Sequence, residues 1–203
     1  MNNKKIIIID LGIGNVGSVK RAIHHFGYQA IVSNRHEDIN SATHLILPGV
    51  GSFGRAMHNI KNLGLIDPIN KHVMSGKKLI GICLGMQLLF TKSDEGEVNH
   101  GFNFIKGDVT TLKKGFDKIP NVGFKKTKWI NKDSFLNFNN NKFYFSHSFV
   151  ANPINKSDII SEFYHNENNY CCGVNKSNIY GFQFHPELSS KDGIDLLKQI
   201  IEY

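Results

Sequence analysis

Residues 77–90 read KKLIGICLGMQLLF. The first six, KKLIGI, end in a short apolar run of the kind that makes a buried strand. LGMQLLF (84–90) has the composition of a helix. Between them Cys83 stands two residues from Gly81 and two from Gly85. A thiol that only fills a core needs no glycines nearby. One that projects from a tight strand-to-helix bend does, because a Cβ at either position would collide with the adjoining strand or helix. A buried cysteine beside two helix-packing glycines remains an equal reading of this segment taken alone.

The same alternation extends towards the N-terminus. KIIIID (5–10) is a continuous β-branched run, as in a strand covered on both faces. Asn15 is placed to cap a helix over about 16–26, and Gly27 to stop it. QAIVS (29–33) and THLILPG (43–49) read as further strands, and helices fit about 53–62 and 65–74. Strand, helix, strand, helix predicts a parallel sheet with helices on its faces. Beyond residue 100 the pattern becomes one of short β-like runs, at about 104–111, 122–130, 142–149, 158–164, 169–175 and 178–184. HNENN (165–169) predicts a hairpin turn, and a last helix fits 190–202 with Ser189 or Ser190 as its cap. The expectation is an α/β fold over residues 1–203 as one domain: a mostly parallel central sheet flanked by helices, with an antiparallel β extension.

Bulk properties set limits. The chain has 203 residues, 40% hydrophobic and 20% charged, enough to bury a core without covalent staples. Its net charge is +7. A nucleic-acid surface would want clustered Lys and Arg interleaved with exposed aromatics. The compact basic runs LKKGFDK (112–118) and FKKTK (124–128) are short, and an acidic protein partner accounts for them as well. The three cysteines, two of them adjacent (Cys171 and Cys172), have neither disulfide-framework nor metal-ligand spacing. No metal or cofactor is expected, and a reducing, cytoplasmic setting is. MNNKKIIIIDLG has four consecutive apolar residues before Asp10, which reads as a strand and not a signal peptide, and no run approaches membrane-spanning length.

The elbow sets Cys83 at a helix N-terminus, where backbone N–H groups favour a thiolate and a developing oxyanion. A thiol nucleophile needs a base. IYGFQFHPEL (179–188) supplies His185 with Glu187 two residues on, which in extended chain would share one side of the strand. A carboxylate there would fix the imidazole tautomer and stabilise the imidazolium. A lone His-Pro-Glu is usually a surface turn; paired with a cysteine elbow it is a candidate triad. LILPGVGSFGRAM (45–57) adds a glycine-rich loop after a strand, whose N–H groups can turn towards a ligand. A phosphate loop is the weaker reading there, because no Gly-Lys-Ser/Thr follows.

PGVGSFGRAM, GICLGMQLLF and GFQFHPELS, in that order, resemble class I glutamine amidotransferase domains. With IIDLGIGNVGSVKRAI, KIPNVGF (118–124) and FYFSHSF (143–149), the likeness is closer to the glutaminase subunits of imidazole glycerol phosphate synthases and runs through nearly the whole chain. The resemblance implies hydrolysis of L-glutamine to glutamate and ammonia. Cys83 would be the nucleophile, His185 the proton shuttle and Glu187 its orienting acid. The N–H groups of Val50 and Leu84 would form the oxyanion hole, and Gly51, Gln87, His147, Ser148 and Phe149 would contact glutamine. His147 would shape the pocket and leave the role of base to His185. The implied partner is a (β/α)8 cyclase subunit (HisF-like) in a heterodimer. It would receive ammonia for imidazole glycerol phosphate and AICAR formation in histidine biosynthesis. The resemblance implies neither a nucleic-acid nor a membrane partner.

Two departures bear on docking. Leu188 follows His-Pro-Glu where the family has Lys, and Asn121, Val122 and Phe124 replace the family's usual wording after Lys-Ile-Pro. They keep open a paralogue that serves a divergent barrel and amidates a surface-sugar precursor. A cysteine peptidase-like hydrolase and a catalytically inactive docking module are the readings from other classes.

Overall fold

The computed structural model describes residues 4–112, 116, 118–130, 136, 138 and 141–203. Residues 113–115 and 117 of the basic run 112–118, and 1–3 of the N-terminal segment, lie outside the described residues. In chain order the elements of the first half are β1 (Ile6–Ile9), α1 (Val16–His25), β2 (Ala30–Ser33), α2 (His36–Ser41), β3 (His44–Leu47), α3 (Phe53–Asn62), α4 (Ile66–Met74), β4 (Lys78–Ile82) and α5 (Leu84–Gln87). There follow β5 (Lys92–Ser93), β6 (Asn99–His100), β7 (Gly107–Thr111), β8 (Asn121–Trp129), β9 (Lys142–His147), β10 (Phe149–Pro153), β11 (Ile159–His165), β12 (Asn168–Lys176), β13 (Ile179–Phe182) and α6 (Ser190–Glu202).

Among the described residues nine strands form one sheet in the order β2-β1-β3-β4-β13-β12-β11-β8-β9. The β2-β1-β3-β4-β13 half is parallel and the rest antiparallel. β13 is the seam: it runs parallel to β4 on one side and antiparallel to β12 on the other. Alternation along β1 shows why the parallel half reads as unbroken apolar sequence. Ile6 and Ile8 face one core with α1 and α6, and Ile7 and Ile9 face the other with α3 and α4. A second sheet, β10-β7-β5-β6, packs beside the antiparallel half.

The predicted cap of α1 is present: Asn15 Oδ1 accepts from Ser18 N–H at 3.2 Å. The hairpin at 165–169 turns on Asn166 and Glu167, both in the left-handed region, as a two-residue turn matched to strand twist requires. α2 was not expected; it is six residues long with only Ile39 buried, too short to show a period. The predicted run 142–149 is two strands. β9 pairs with β8 in the large sheet, and after Ser148 β10 pairs with β7 in the small one.

Candidate active site

Cys83 follows β4 directly and has φ 52 and ψ −110. A non-glycine residue held there costs of order 1 kcal/mol or more. The Cys83 N–H anchors it by donating to Phe182 O at 2.7 Å. The flanking glycines meet the demand read from the sequence: a Cβ on Gly85 would sit 1.7 Å from Leu47 O, and one on Gly81 2.6 Å from Gly85 O. The helix after the elbow is a single turn, because the N–H groups of Leu89 and Phe90 bond three residues back to Met86 and Gln87 and tighten the chain. The sulfur therefore faces one turn of helix, with far less dipole than the run 84–90 suggested.

His185 and Glu187 meet by a different route from the extended strand expected. β13 ends at Phe182, and Pro186–Leu188 form a 3₁₀ turn with Pro186 at its start. The turn brings the carboxylate back to the ring, so that His185 Nδ1 donates to Glu187 Oε1 at 2.9 Å. Both side chains are almost fully buried. Ser189, expected as a cap of α6, makes no capping bond; its hydroxyl donates to His185 O at 2.6 Å and accepts from Tyr144 N–H at 2.9 Å. The His185 N–H in turn donates to Tyr144 O at 2.8 Å. The base is thus tied to β9 through its own backbone. Nδ1 is committed to the carboxylate, so Nε2 is the nitrogen left to act on Cys83, whose charge is felt at the ring. Burial alone would lower the pKa of His185. The hydrogen bonds and charges of Cys83 and Glu187 outweigh it and raise the value to about 10.

A cavity of about 230 Å³ opens on the sulfur. Val50, Gly51, Leu84, Gln87, His147, Ser148 and Phe149 all line it with Cys83, so the structure gathers every predicted pocket residue from three distant segments. The sheet switch at Ser148 is what delivers His147, Ser148 and Phe149 to the rim. Burial pushes His147 down to about 4. Its Nδ1 donates to Phe149 O at 2.7 Å and its Nε2 accepts from Asn121 Nδ2 at 2.9 Å, which leaves a neutral ring with both nitrogens engaged. Two lining residues, Glu95 and Ser146, were not anticipated. Glu95 Oε2 accepts from Phe53 N–H at 2.7 Å, so its carboxylate caps α3 and borders the cavity together. Nothing in SDEGE (93–97) separates such a residue from an ordinary surface loop.

Cys171 and Cys172 are buried in β12. Burial pushes the Cys171 thiol up to about 12 and Cys172 well above the usual range, so both stay protonated and unreactive. Among the described residues no three metal-ligating side chains converge, and no helix is long and apolar enough to cross a membrane.

A thiol on a strained elbow, an imidazole fixed by a buried acid and a small cavity at the sulfur define a cysteine-dependent amide hydrolase. The family model for class I glutamine amidotransferases matches residues 7–202, and the chain belongs to that family. Its similarity is to HisH. It is 44% identical over 201 residues to imidazole glycerol phosphate synthase subunit HisH 2 of Methanococcus maripaludis, covering 97% of this chain and 98% of that one. It is 38% identical over 198 residues to HisH of Aquifex aeolicus, covering 96% and 94%. The structure of PurLQS from Thermotoga maritima shares the fold, with a TM-score of 0.75 at 20% identity over 98% of each chain.

Proposed function

We propose that this chain is the glutaminase subunit of an imidazole glycerol phosphate synthase. It hydrolyses the side-chain amide of L-glutamine and passes ammonia to a (β/α)8 cyclase of the HisF type. The observation that carries this reading is Cys83 on the wall of a cavity sized for one amino acid, with the buried, hydrogen-bonded His185–Glu187 pair acting on it. Glutamine enters with its amide carbon at the sulfur. Cys83 attacks that carbon with its proton already held on His185 Nε2. The N–H groups of Val50 and Leu84 hold the oxyanion, each donor worth roughly 3–4 kcal/mol. The intermediate collapses as His185 returns the proton to the departing nitrogen, leaving a glutamyl thioester and ammonia. His185 then takes a proton from water, hydroxide adds to the thioester, and glutamate leaves as the thiol is restored. Glu95, a carboxylate on the cavity wall, is the group suited to an α-ammonium. Ammonia released into water would be protonated and lost as a nucleophile, so firing only against a loaded barrel makes chemical sense.

The experiment is Cys83→Ala assayed with the cyclase. Glutamate release should fall at least about 10³-fold while the complex still forms, as expected for loss of a covalent nucleophile. Retained turnover would remove Cys83 from the role. If wild-type protein releases no glutamate with or without the barrel, the inactive docking module is the correct reading. A second reading, supply of ammonia to a sugar-amidating barrel, is favoured by one observation. Leu188, Val122 and Phe124 are all exposed and apolar, 41%, 54% and 51%, at the positions that depart from the family wording. Which purified barrel stimulates glutamate release decides between the two.

A further inference from the structure

Gln183 is a polar side chain with no accessible surface, placed directly after β13 between the buried residues Phe182 and Phe184 of the chain. Its Nε2 lies 3.7 Å from Cys83 Sγ, within hydrogen-bond reach of sulfur. Its Oε1 accepts from Gln87 Nε2 at 3.0 Å, and Gln87 Nε2 also donates to Phe149 O at 3.2 Å. The direction of this relay is fixed at one end. A backbone carbonyl can only accept, so Gln87 must turn its nitrogen towards Phe149. Its second N–H then faces Gln183, which must answer with oxygen. Gln183 is left with its own N–H groups directed at the sulfur. Both protons on the Gln87 nitrogen are used, and only its oxygen remains for a ligand.

We propose that Gln183 is a further residue of the glutaminase site: its amide donates to the Cys83 sulfur, holds it on line with His185 and favours its charged form. The inference rests on the glutaminase reading of the same site. It follows from position as well as distance. The Cys83 sulfur meets the carbonyl of Ser146 at 3.8 Å, an acceptor that does nothing for a thiolate. Gln183 is the donor that comes from inside the protein, where water does not reach and where a hydrogen bond to a charge is strong. The relay also links the sulfur to Phe149, on the strand that lines the substrate cavity, so the geometry of the nucleophile and of the pocket are set together.

The test uses Gln183→Met, which keeps the length of the side chain and removes the donor, and Gln183→Glu, which keeps the shape and puts oxygen towards the sulfur. The readout is the pH dependence of Cys83 alkylation by iodoacetamide, followed on the Cys83 peptide by mass spectrometry, since Cys171 and Cys172 are buried. Both variants should move the alkylation midpoint upward by about one pH unit relative to wild type. With the cyclase present, kcat should fall about tenfold or more while KM changes less than about threefold. A merely structural role would lower the unfolding midpoint and leave the alkylation midpoint in place, and that result overturns the inference. A midpoint unmoved in a stably folded variant overturns it equally. If wild-type protein with its barrel does not hydrolyse glutamine, it is the underlying reading that fails.

Discussion

Glu187 shows how little a residue's own sequence neighbourhood says about its task. One carboxylate oxygen accepts from His185, and the other is buried with no hydrogen-bond partner among the described residues. A glutamine at this position can keep its carbonyl on the imidazole and place its nitrogen where the second oxygen lies. Shape survives and charge does not. Glu187→Gln should therefore bind glutamine within a few-fold of wild type and lose kcat by roughly 10²–10⁴, the range for weakening the acid behind a catalytic imidazole. Since Glu187 helps to raise His185, the alkaline limb of the pH–rate profile should also move to lower pH. Steady-state kinetics across pH check both. A large rise in KM at constant kcat would mean that Glu187 serves the pocket. Cys83, His185 and Glu187 were legible in the sequence because each carries its chemistry in its name and stands in a short motif. Gln183, Ser189 and Glu95 were not. Their roles come from contacts with partners tens of residues away or more, and an amide, a hydroxyl or a carboxylate reads alike in a core strand, a cap or a loop.

At the level of elements, the elbow depends on the absence of two side chains. Gly85→Ala would drive a methyl group into the carbonyl of Leu47 on β3, a backbone atom that cannot swing aside. The expected loss is about 3 kcal/mol or more, at the upper end for overpacking. Gly76→Ala is the control: Gly76 has φ +77 with open space around it, so only backbone strain of about 1 kcal/mol applies. Urea unfolding of the two variants should separate them clearly; equal losses would mean that the close approach at the elbow is relieved by movement of β3. The same contrast explains which elements sequence could reveal. Runs such as IIII and HLIL are apolar because both faces are covered, and they stand out. β5 and β6 are two residues each and have no period to detect. The division of 142–153 between two sheets is likewise invisible, since extended chain looks the same whichever neighbour it pairs with.

For the whole molecule, pH acts through histidines that the fold keeps neutral. Burial pushes His44 down to about 4, helped by the charges of Lys78 and Lys4, and burial does the same to His147. A depressed histidine contributes stability that is present above its unfolded value near 6.5 and lost as pH falls to the folded value. Each should cost about 3 kcal/mol once protonation is complete below pH 4. His185 acts in the opposite sense, stabilising below 6.5 and losing that contribution as pH climbs towards 10. The urea midpoint should therefore drop steeply between pH 6.5 and 4, and His44→Gln should flatten part of that drop; an unchanged slope would clear His44. The sheet order has one more consequence. The thiol follows β4 at residue 83, yet the neighbour of β4 towards the antiparallel half is β13, made of residues 179–182, and the base follows at 185. A nascent chain leaving the ribosome thus holds its nucleophile for some hundred residues before His185 is made. Translation itself withholds glutamine consumption until the last strand has slotted into the middle of the sheet.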